Sequence, residues 1–299
     1  MLGVRGYGEV HSGHGDTVKA SVCAALPDAP GADRKATRKR KEWRLMKRIK
    51  KRIYSGTVCE QLVFSVSDRT RNIKKAEPRL RFKTLEDRER HKLLISRRNH
   101  ARLINENFDP SGLYSTLTFS NEYEVHTFEE AKIVADRFLR RLKYHHKDAV
   151  IFLYMGRGRS TNRIHFHMIS KGVPEETILK HWFYGSVVRI ENLREHNYYD
   201  GKDHGQDYTG LANYCFDHWT PEVGGHRWKM TKNVRRPQEE DAKEIKRNYT
   251  VEKPPKPPKG YVLVSAQANK YGYLYFKYVK QPPEDTRRRK RKTGSPPVK

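Results

Sequence analysis

The residues best suited to chemistry are His165 and His167, which flank Phe166 inside a largely apolar stretch at 162–169. Because side chains alternate between the two faces of a β-strand, both imidazoles would lie on one face and Phe166 on the other. Two adjacent imidazoles can bind a divalent metal ion. The pattern also fits two half-exposed strand histidines without a ligand, because a His-x-His triplet often arises by chance. The spacing therefore indicates a candidate metal site, and other features of the chain must distinguish the two interpretations.

The charge of the chain indicates the class of its partner. Its 299 residues include 62 lysines and arginines against 35 aspartates and glutamates, which gives a formal net charge of +27. This excess favours a polyanion, with nucleic acid as the first expectation and an anionic membrane surface as the competing one. No apolar run reaches the roughly 18 residues that a bilayer-spanning helix needs, so no membrane insertion is expected.

Cysteine usage and the N-terminal sequence indicate the compartment. Cys23, Cys59 and Cys215 are scattered and lack the C-x-x-C spacing of a cysteine zinc site. They fit a reducing cytosol and do not predict a disulfide framework. No continuous apolar segment with a basic flank occurs near the N-terminus, so no signal peptide is expected. We therefore expect a cytoplasmic protein.

Local patterns predict an α+β fold around the histidine strand. Apolar and β-branched runs predict strands, and apolar residues at helical spacing predict helices. Thr127 and Glu130 have the spacing of a capping box, which marks the start of one helix. The predicted strands are 57–66, 113–119, 149–155, 162–169, 185–192 and a closing hairpin at 261–265 and 271–279, and the predicted helices are 85–107, 127–143, 174–182, 208–219 and a patch at 238–247. This order predicts one central antiparallel sheet with helices packed on its faces.

Three features follow one another in a fixed order: the strand at 114–119, the His-x-His strand, and the helix at 208–219 with its Leu-Ala-Asn-Tyr segment ending at Tyr214. This combination resembles the HUH superfamily of rolling-circle replication initiation (Rep) proteins, and is most similar to those of bacterial, Firmicutes-type phages and plasmids. The segments at 225–237 and 257–264 also resemble later parts of that group. The resemblance covers residues 53–280 and implies the ferredoxin/RRM-like fold of the superfamily.

The resemblance implies a metal-dependent, site-specific DNA nickase and strand transferase. It assigns Tyr214 as the nucleophile that forms a 5′-phosphotyrosine link and leaves a free 3′-OH. It assigns Mg²⁺ or Mn²⁺ to His165 and His167. The implied partners are single-stranded or hairpin origin DNA in a bacterial cytoplasm. Since the chain has no Walker-type motif, a host helicase and polymerase are expected as well.

Two tyrosines compete for the role of nucleophile in the helix at 208–219. Tyr214 holds the family-like position, and Tyr208 lies six residues earlier, about 240° away around a helix. The two phenols cannot share one face, which favours a single-tyrosine enzyme, and the family-like position favours Tyr214 as its nucleophile. The alternative for Tyr214 is a partly buried packing residue.

The chain departs from the family pattern in two ways. Related proteins usually carry a lysine three residues after the nucleophile, where this chain has Asp217 followed by His218. They also often have a glutamate as third metal ligand before the histidines, and no such residue is evident here. Glu122, Glu124 and His126 are conceivable ligands, although a solvated loop residue is the favoured interpretation of each.

Basic residues around these motifs are the expected DNA contacts. Because Lys and Arg side chains bind phosphates, the expected set is Arg157, Arg159, Arg163, Arg227 and Lys229.

Composition divides the chain into four expected regions. Residues 1–52 are expected to be a disordered basic N-terminal region, in which part of the run at 34–52 could form a basic helix or a solvated tail. Residues 53–237 would be the HUH endonuclease domain with its N-terminal strand and basic helix. Residues 238–280 would form a C-terminal extension with a closing hairpin, and 281–299 a disordered basic tail.

Two other functions remain open from the sequence. A catalytically weakened HUH-like protein that binds nucleic acid without cutting it would fit the missing lysine. An HUH transposase or relaxase would keep the chemistry in another setting, although relaxases usually place the tyrosine before the histidines.

Overall fold

Two antiparallel sheets, a two-stranded ribbon and four helices form the described part of the chain, which confirms the α+β class. The computed structural model describes residues 46–78, 82, 84–158, 160–199, 201–218, 228–269 and 273–281. The strands are β1 (Met46–Ser55), β2 (Val58–Ser67), β3 (Leu113–Thr118), β4 (Val150–Arg157), β5 (Ile164–Lys171), β6 (Val187–Asn192), β7 (Tyr198–Tyr199), β8 (Lys202–Asp203), β9 (Trp228–Met230), β10 (Gln238–Glu239), β11 (Lys243–Glu244), β12 (Tyr261–Asn269) and β13 (Tyr273–Lys280). The helices are α1 (Leu85–Asn107), α2 (Phe128–His145), α3 (Glu175–His181) and α4 (Thr209–Asp217).

The sheet that contains the histidines, here called the histidine sheet, has the antiparallel strand order β6-β3-β5-β4-β9. On β5, Phe166 pairs with Leu117 and packs in a core that also contains Phe138 of α2. His165 and His167 pair with Thr118 and Thr116 of β3 and lie on the other face. The predicted alternation of the histidine strand is therefore confirmed.

Helices cover both faces of the histidine sheet. The core of one face contains residues of α2 and α3, and the core of the other contains residues of α1 and α4. The predicted capping box at the start of α2 is present: Thr127 Oγ1 accepts from the Glu130 amide at 3.2 Å, and Glu130 Oε2 accepts from the Thr127 amide at 3.3 Å. Ala131, Ala135 and Phe138 then face the sheet at helical spacing.

A second sheet, here called the terminal sheet, has the order β10-β1-β2-β13-β12, with β11 also on β1. It corrects the prediction of one central sheet. For 46–52 it also corrects the expectation of disorder or a basic helix, because Met46–Ser55 is a strand with Ile49, Lys51 and Ile53 buried at every second position. The rest of the expected N-terminal region, 1–45, and 282–299 of the expected basic tail lie outside the described residues. All ten residues of β1 pair with β2, and this pairing outweighs a weak helical pattern.

The prediction of a helical patch at 238–247 is wrong. This segment holds the short strands β10 and β11, which pair with the edge of β1. Glu239 of β10 forms an ion pair with the buried Lys51 of β1 at 2.7 Å. The open backbone edge of β1 thus determines the conformation of a segment whose own sequence favours a helix.

Helix α1 and the start of α4 join the two sheets. The Arg98 guanidinium of α1 lies 4.2 Å from the ring centroid of Tyr275 on β13. Lys277 of β13 forms a buried ion pair with Asp207 and donates to Thr209 Oγ1 at 2.8 Å, directly at the first turn of α4. No helix in the described ranges is long and apolar enough to cross a membrane.

Candidate metal centre

Three histidines converge at the end of α4. His165 and His167 lie on β5, and His218 follows the last residue of α4. Nε2 of His165 is 3.2 Å from Nε2 of His167 and 2.7 Å from Nε2 of His218. Their potential ligand atoms all lie within 4.8 Å of one another, so the described residues contain a three-histidine group that could hold a metal ion.

The ring-nitrogen separations fit binding to a common ion. Two histidine nitrogens about 2.1 Å from one ion lie about 3.0 Å apart at a right angle and about 3.4 Å apart at the tetrahedral angle. The separation of 3.2 Å in this cluster lies within that range, and the separation of 2.7 Å is slightly shorter. The same three nitrogens cannot all donate and accept among themselves, whereas one cation can use all three lone pairs.

Gly156 makes room for the third histidine. It lies on β4 opposite His165, and a Cβ at this position would be 2.1 Å from Cδ2 of His218 and 3.2 Å from Nε2 of His165. The His218 ring therefore occupies the space that a side chain at position 156 would fill. The absence of a side chain on β4 at Gly156 thus allows the His218 ring to lie against the strand and reach His165.

Neighbouring hydroxyl groups orient His167. Its Nδ1 lies 2.8 Å from Tyr114 Oη and 3.2 Å from Thr116 Oγ1. If Nδ1 carries the proton and donates to these oxygens, Nε2 is left with the lone pair that a metal needs. Burial raises the pKa of the Tyr114 phenol well above its ordinary value, and the neighbouring Tyr214 raises it further, so Tyr114 stays protonated.

Burial also keeps the histidines neutral. It lowers the pKa of His167 to about 3, with a smaller contribution from the positive charges that His218 and His165 would carry. Burial lowers the pKa of His165 as well. Near neutral pH these two imidazoles are therefore uncharged, which is the state that ligates metals.

Tyr214 is the accessible phenol beside the cluster. Its ring centroid lies 5.3 Å from that of His167 and 5.3 Å from that of His218, and 49% of the residue is exposed. Tyr214 and His218 are four residues apart and thus share one side of α4. Tyr208, in contrast, is 2% exposed and packs in the core between α1, α4 and the sheet. The structure brings Tyr214 to the predicted histidines and keeps Tyr208 in the interior.

The conceivable third ligands from the sequence do not join the cluster. Glu124 forms an ion pair with Arg163 at 3.0 Å, and neither Glu122 nor His126 belongs to the three-histidine group. The sequence did not predict His218 as the third ligand, although its position one helical turn after Tyr214 was a signal that could have identified it.

A cation from another helix pairs with the residue at the position of the missing lysine. Asp217, which stands where related proteins have a lysine, forms an ion pair with Arg97 of α1. Since α1 and α4 are far apart in sequence, this pairing could not be predicted from the motif.

The described residues of the expected DNA contacts are held by other protein groups. Arg157 donates to two backbone carbonyls at 2.8 and 3.0 Å, and Arg163 pairs with Glu124. Lys229 pairs with Asp136 at 2.6 Å on the α2 side of the sheet, opposite the histidines. The structure does not bring these three side chains together at the cluster, and DNA contact by them stays a prediction. Outside the described residues lie Arg159 and Arg227.

In comparisons with protein families, curated proteins and solved structures, no match to this chain is found. The functional conclusion therefore depends on the residues of the site. They are three convergent imidazoles, two of them held neutral by burial, and one half-exposed phenol that contacts two of these rings.

Proposed function

We propose that the protein is a metal-dependent DNA nickase and strand transferase of the HUH type that initiates rolling-circle replication, with Tyr214 as its nucleophile. The observation that carries this proposal is the contact of Tyr214 with His167 and His218 in a three-histidine cluster. A phenol is a weak nucleophile near neutral pH, and a metal-binding site beside it is a known way to activate such a group.

The reaction is balanced without an external energy source. Tyr214 Oη attacks a phosphorus atom of single-stranded DNA, and the bond from phosphorus to the 3′ oxygen breaks. The phenolic proton passes to solvent, and the leaving oxygen takes up a proton as a free 3′-OH. Because the phosphotyrosine ester keeps the phosphodiester bond energy, a later 3′-OH can reverse the reaction and rejoin the strand.

The chemistry of the cluster favours a transition-metal ion. A divalent ion held by His165, His167 and His218 would supply Lewis-acid polarisation of the scissile phosphate. Imidazole nitrogens suit first-row transition metals, whereas Mg²⁺ prefers oxygen ligands. Of the two expected ions, Mn²⁺ is therefore the better candidate.

The topology of the histidine sheet supports the proposal. The segment from β3 to β6 runs β-α-β-β-α-β, and its strands lie in the order β6-β3-β5-β4. This order agrees with the split β-α-β arrangement that the resemblance implies, and both crossover helices contribute to one core. It leaves the other face of central strand β5, with its histidines, free to meet α4 and Tyr214.

Arg97 offsets the negative charge of Asp217, the residue that replaces the missing lysine. An unpaired carboxylate at Asp217 would repel a DNA phosphate at the site. Its ion pair with Arg97 neutralises that charge. Together with the net charge of +27, this leaves the environment of Tyr214 compatible with a polyanion.

The covalent adduct tests the proposal. Full-length protein is incubated with Mn²⁺ and a pool of internally labelled, random-sequence single-stranded oligonucleotides, so that no origin sequence needs to be known. We expect a labelled protein band that survives denaturation, and a nucleotide mass on the peptide that contains Tyr214. Tyr214→Phe should abolish the band, while Tyr198→Phe, which changes another exposed tyrosine, should retain it. An adduct that persists in Tyr214→Phe, or none with the wild-type protein, contradicts the assignment.

The second candidate is a protein that binds nucleic acid without cutting it. Asp217 in place of the lysine is the observation that favours it. It predicts retention of single-stranded DNA by the wild-type protein and no adduct with any metal. A transposase or relaxase would form the same adduct and differ in its DNA target.

A further inference from the structure

We propose that the cavity beside Tyr214 binds one unpaired nucleotide adjoining the cleaved phosphodiester, and thereby gives cleavage a base preference. This inference rests on the proposed function. The cavity has a volume of about 490 Å³ and is lined by Tyr214 itself, by Tyr114 and by residues of the segment from β6 to α4. Sites for small molecules typically measure roughly 300–1,000 Å³, so the cavity is large enough for a single nucleotide.

The apolar part of the lining suits a base. Bases stack on aromatic side chains in proteins that bind single strands. Four tyrosines and two leucines border the cavity, namely Tyr114, Tyr199, Tyr208, Tyr214, Leu193 and Leu211. The hydroxyl of Tyr208 is buried and has no hydrogen-bond partner among the described residues, so the wall also contains an unsatisfied polar group.

The polar part of the lining suits the edge of a base. Asn197 donates its side-chain amide to the carbonyl of Gly205 at 2.8 Å, which leaves Oδ1 as the atom available to a ligand. An acceptor oxygen pairs with the exocyclic amino group of adenine, cytosine or guanine. Thymine lacks an exocyclic amino group and can offer an acceptor only its ring N3–H. We therefore expect thymine to be the least favoured base.

Arg194 supplies a cation for the nucleotide's phosphate. Its side chain borders the cavity, is exposed, and forms no hydrogen bond or ion pair within the described ranges. Arg189, the other arginine of the lining, is paired with Glu191 at 2.7 Å and is less available. A guanidinium without a carboxylate partner is suited to bind a phosphate.

One wall of the cavity is linked to the nucleophile's helix. A Cβ on Gly210, in the first turn of α4, would lie 2.3 Å from Tyr199 Oη, so this glycine lets the helix approach the tyrosine closely. Tyr214 follows one turn later on α4. A nucleotide packed against Tyr199 would thus be held at a fixed place relative to the attacking phenol.

Binding of the four deoxynucleoside 5′-monophosphates tests the inference without requiring cleavage. Calorimetry or saturation-transfer NMR on the full-length protein, with EDTA present, measures each affinity. We expect dCMP to bind roughly tenfold more tightly than dTMP, the discrimination that one base-edge contact supplies. Arg194→Ala should weaken all four by roughly fivefold or more, and Tyr199→Leu should weaken all four through lost stacking. The charge-matched control Arg236→Ala changes an exposed arginine that does not line the cavity and should bind as the wild type does.

Sequencing of the adducts separates this inference from the proposed function. In the random pool we expect thymine to be depleted at one position next to the break, and Tyr199→Leu to weaken that depletion. Adduct formation without any base preference, together with equal binding by wild type, Arg194→Ala and Arg236→Ala, would overturn the inference and leave the nickase intact. Nucleotide binding that depends on Arg194, without any adduct, would support the nucleotide site in the cavity and contradict the proposed nickase activity.

Discussion

Substitution of His218 is the most direct test of the metal centre, because no sequence motif predicted this residue as a ligand. The perturbation is His218→Gln, which removes the imidazole and keeps a polar side chain of similar reach. His218 Nε2 lies 2.7 Å from that of His165, so its loss opens one corner of a three-nitrogen set. Loss of an outer-shell partner alone costs about 10- to 100-fold in metal affinity. Removal of a direct ligand should exceed this, and we expect a loss of more than about 100-fold, or about 2.7 kcal/mol.

The assay is titration of the full-length protein with Mn²⁺, in which electron paramagnetic resonance measures the free ion. The matched control is His126→Gln, a change of the same type at a histidine outside the cluster. Thermal unfolding without metal checks that both variants are folded. In the wild-type protein, metal at about 100 times its Kd should add about 2.7 kcal/mol of stability. Wild-type affinity in His218→Gln, or an equal loss in His126→Gln, would refute the assignment of the third ligand.

Four further predictions address the surroundings of the site and the core. Gly156→Ala should weaken Mn²⁺ binding without removing a ligand, because the added Cβ would lie 2.1 Å from the His218 ring; unchanged binding would show that the ring moves freely. Tyr114→Phe should weaken Mn²⁺ binding by about 10- to 100-fold, since it removes a hydrogen-bond partner of a ligand; an unchanged Kd would contradict the proposed tautomer. Burial lowers the pKa of His100 to about 3. Below the ordinary histidine pKa of about 6.5, the unfolded chain therefore takes up a proton that the folded chain does not, and the free energy of unfolding falls by about 1.4 kcal/mol per pH unit. Urea titrations at pH 7 and pH 5 should show a smaller fall in His100→Leu than in the wild-type protein. Burial raises the pKa of Asp207, but the ion pair with Lys277 outweighs this effect and holds that pKa below its ordinary value. Lys277→Met should therefore destabilise the fold by about 3–5 kcal/mol, because it leaves a buried carboxylate without its partner. Adding Asp207→Leu should recover part of that loss in urea titrations at a pH above the ordinary carboxyl range.

Much of the local structure was predictable because its causes are local. The capping box of Thr127 and Glu130 uses residues three positions apart, and it forms as expected. The alternation that separates His165 and His167 from Phe166 follows from strand geometry alone. Errors arose where pairing with a distant strand determined the conformation, as at β1 and at 238–247.

The sequence by itself determined that two of the three histidines share one face of their strand, because strand alternation is periodic. The preference for Tyr214 came from its family-like position, and helix rotation added that Tyr208 cannot share its face. Only the tertiary structure decided that His218 joins them, since this requires the end of α4 to lie over β4 at Gly156. The pairing of Arg97 with Asp217 likewise depends on how α1 packs beside α4. The physical reason is common to both: a periodic pattern fixes which way a side chain faces along its own element, while the distance between two elements depends on how the whole chain packs.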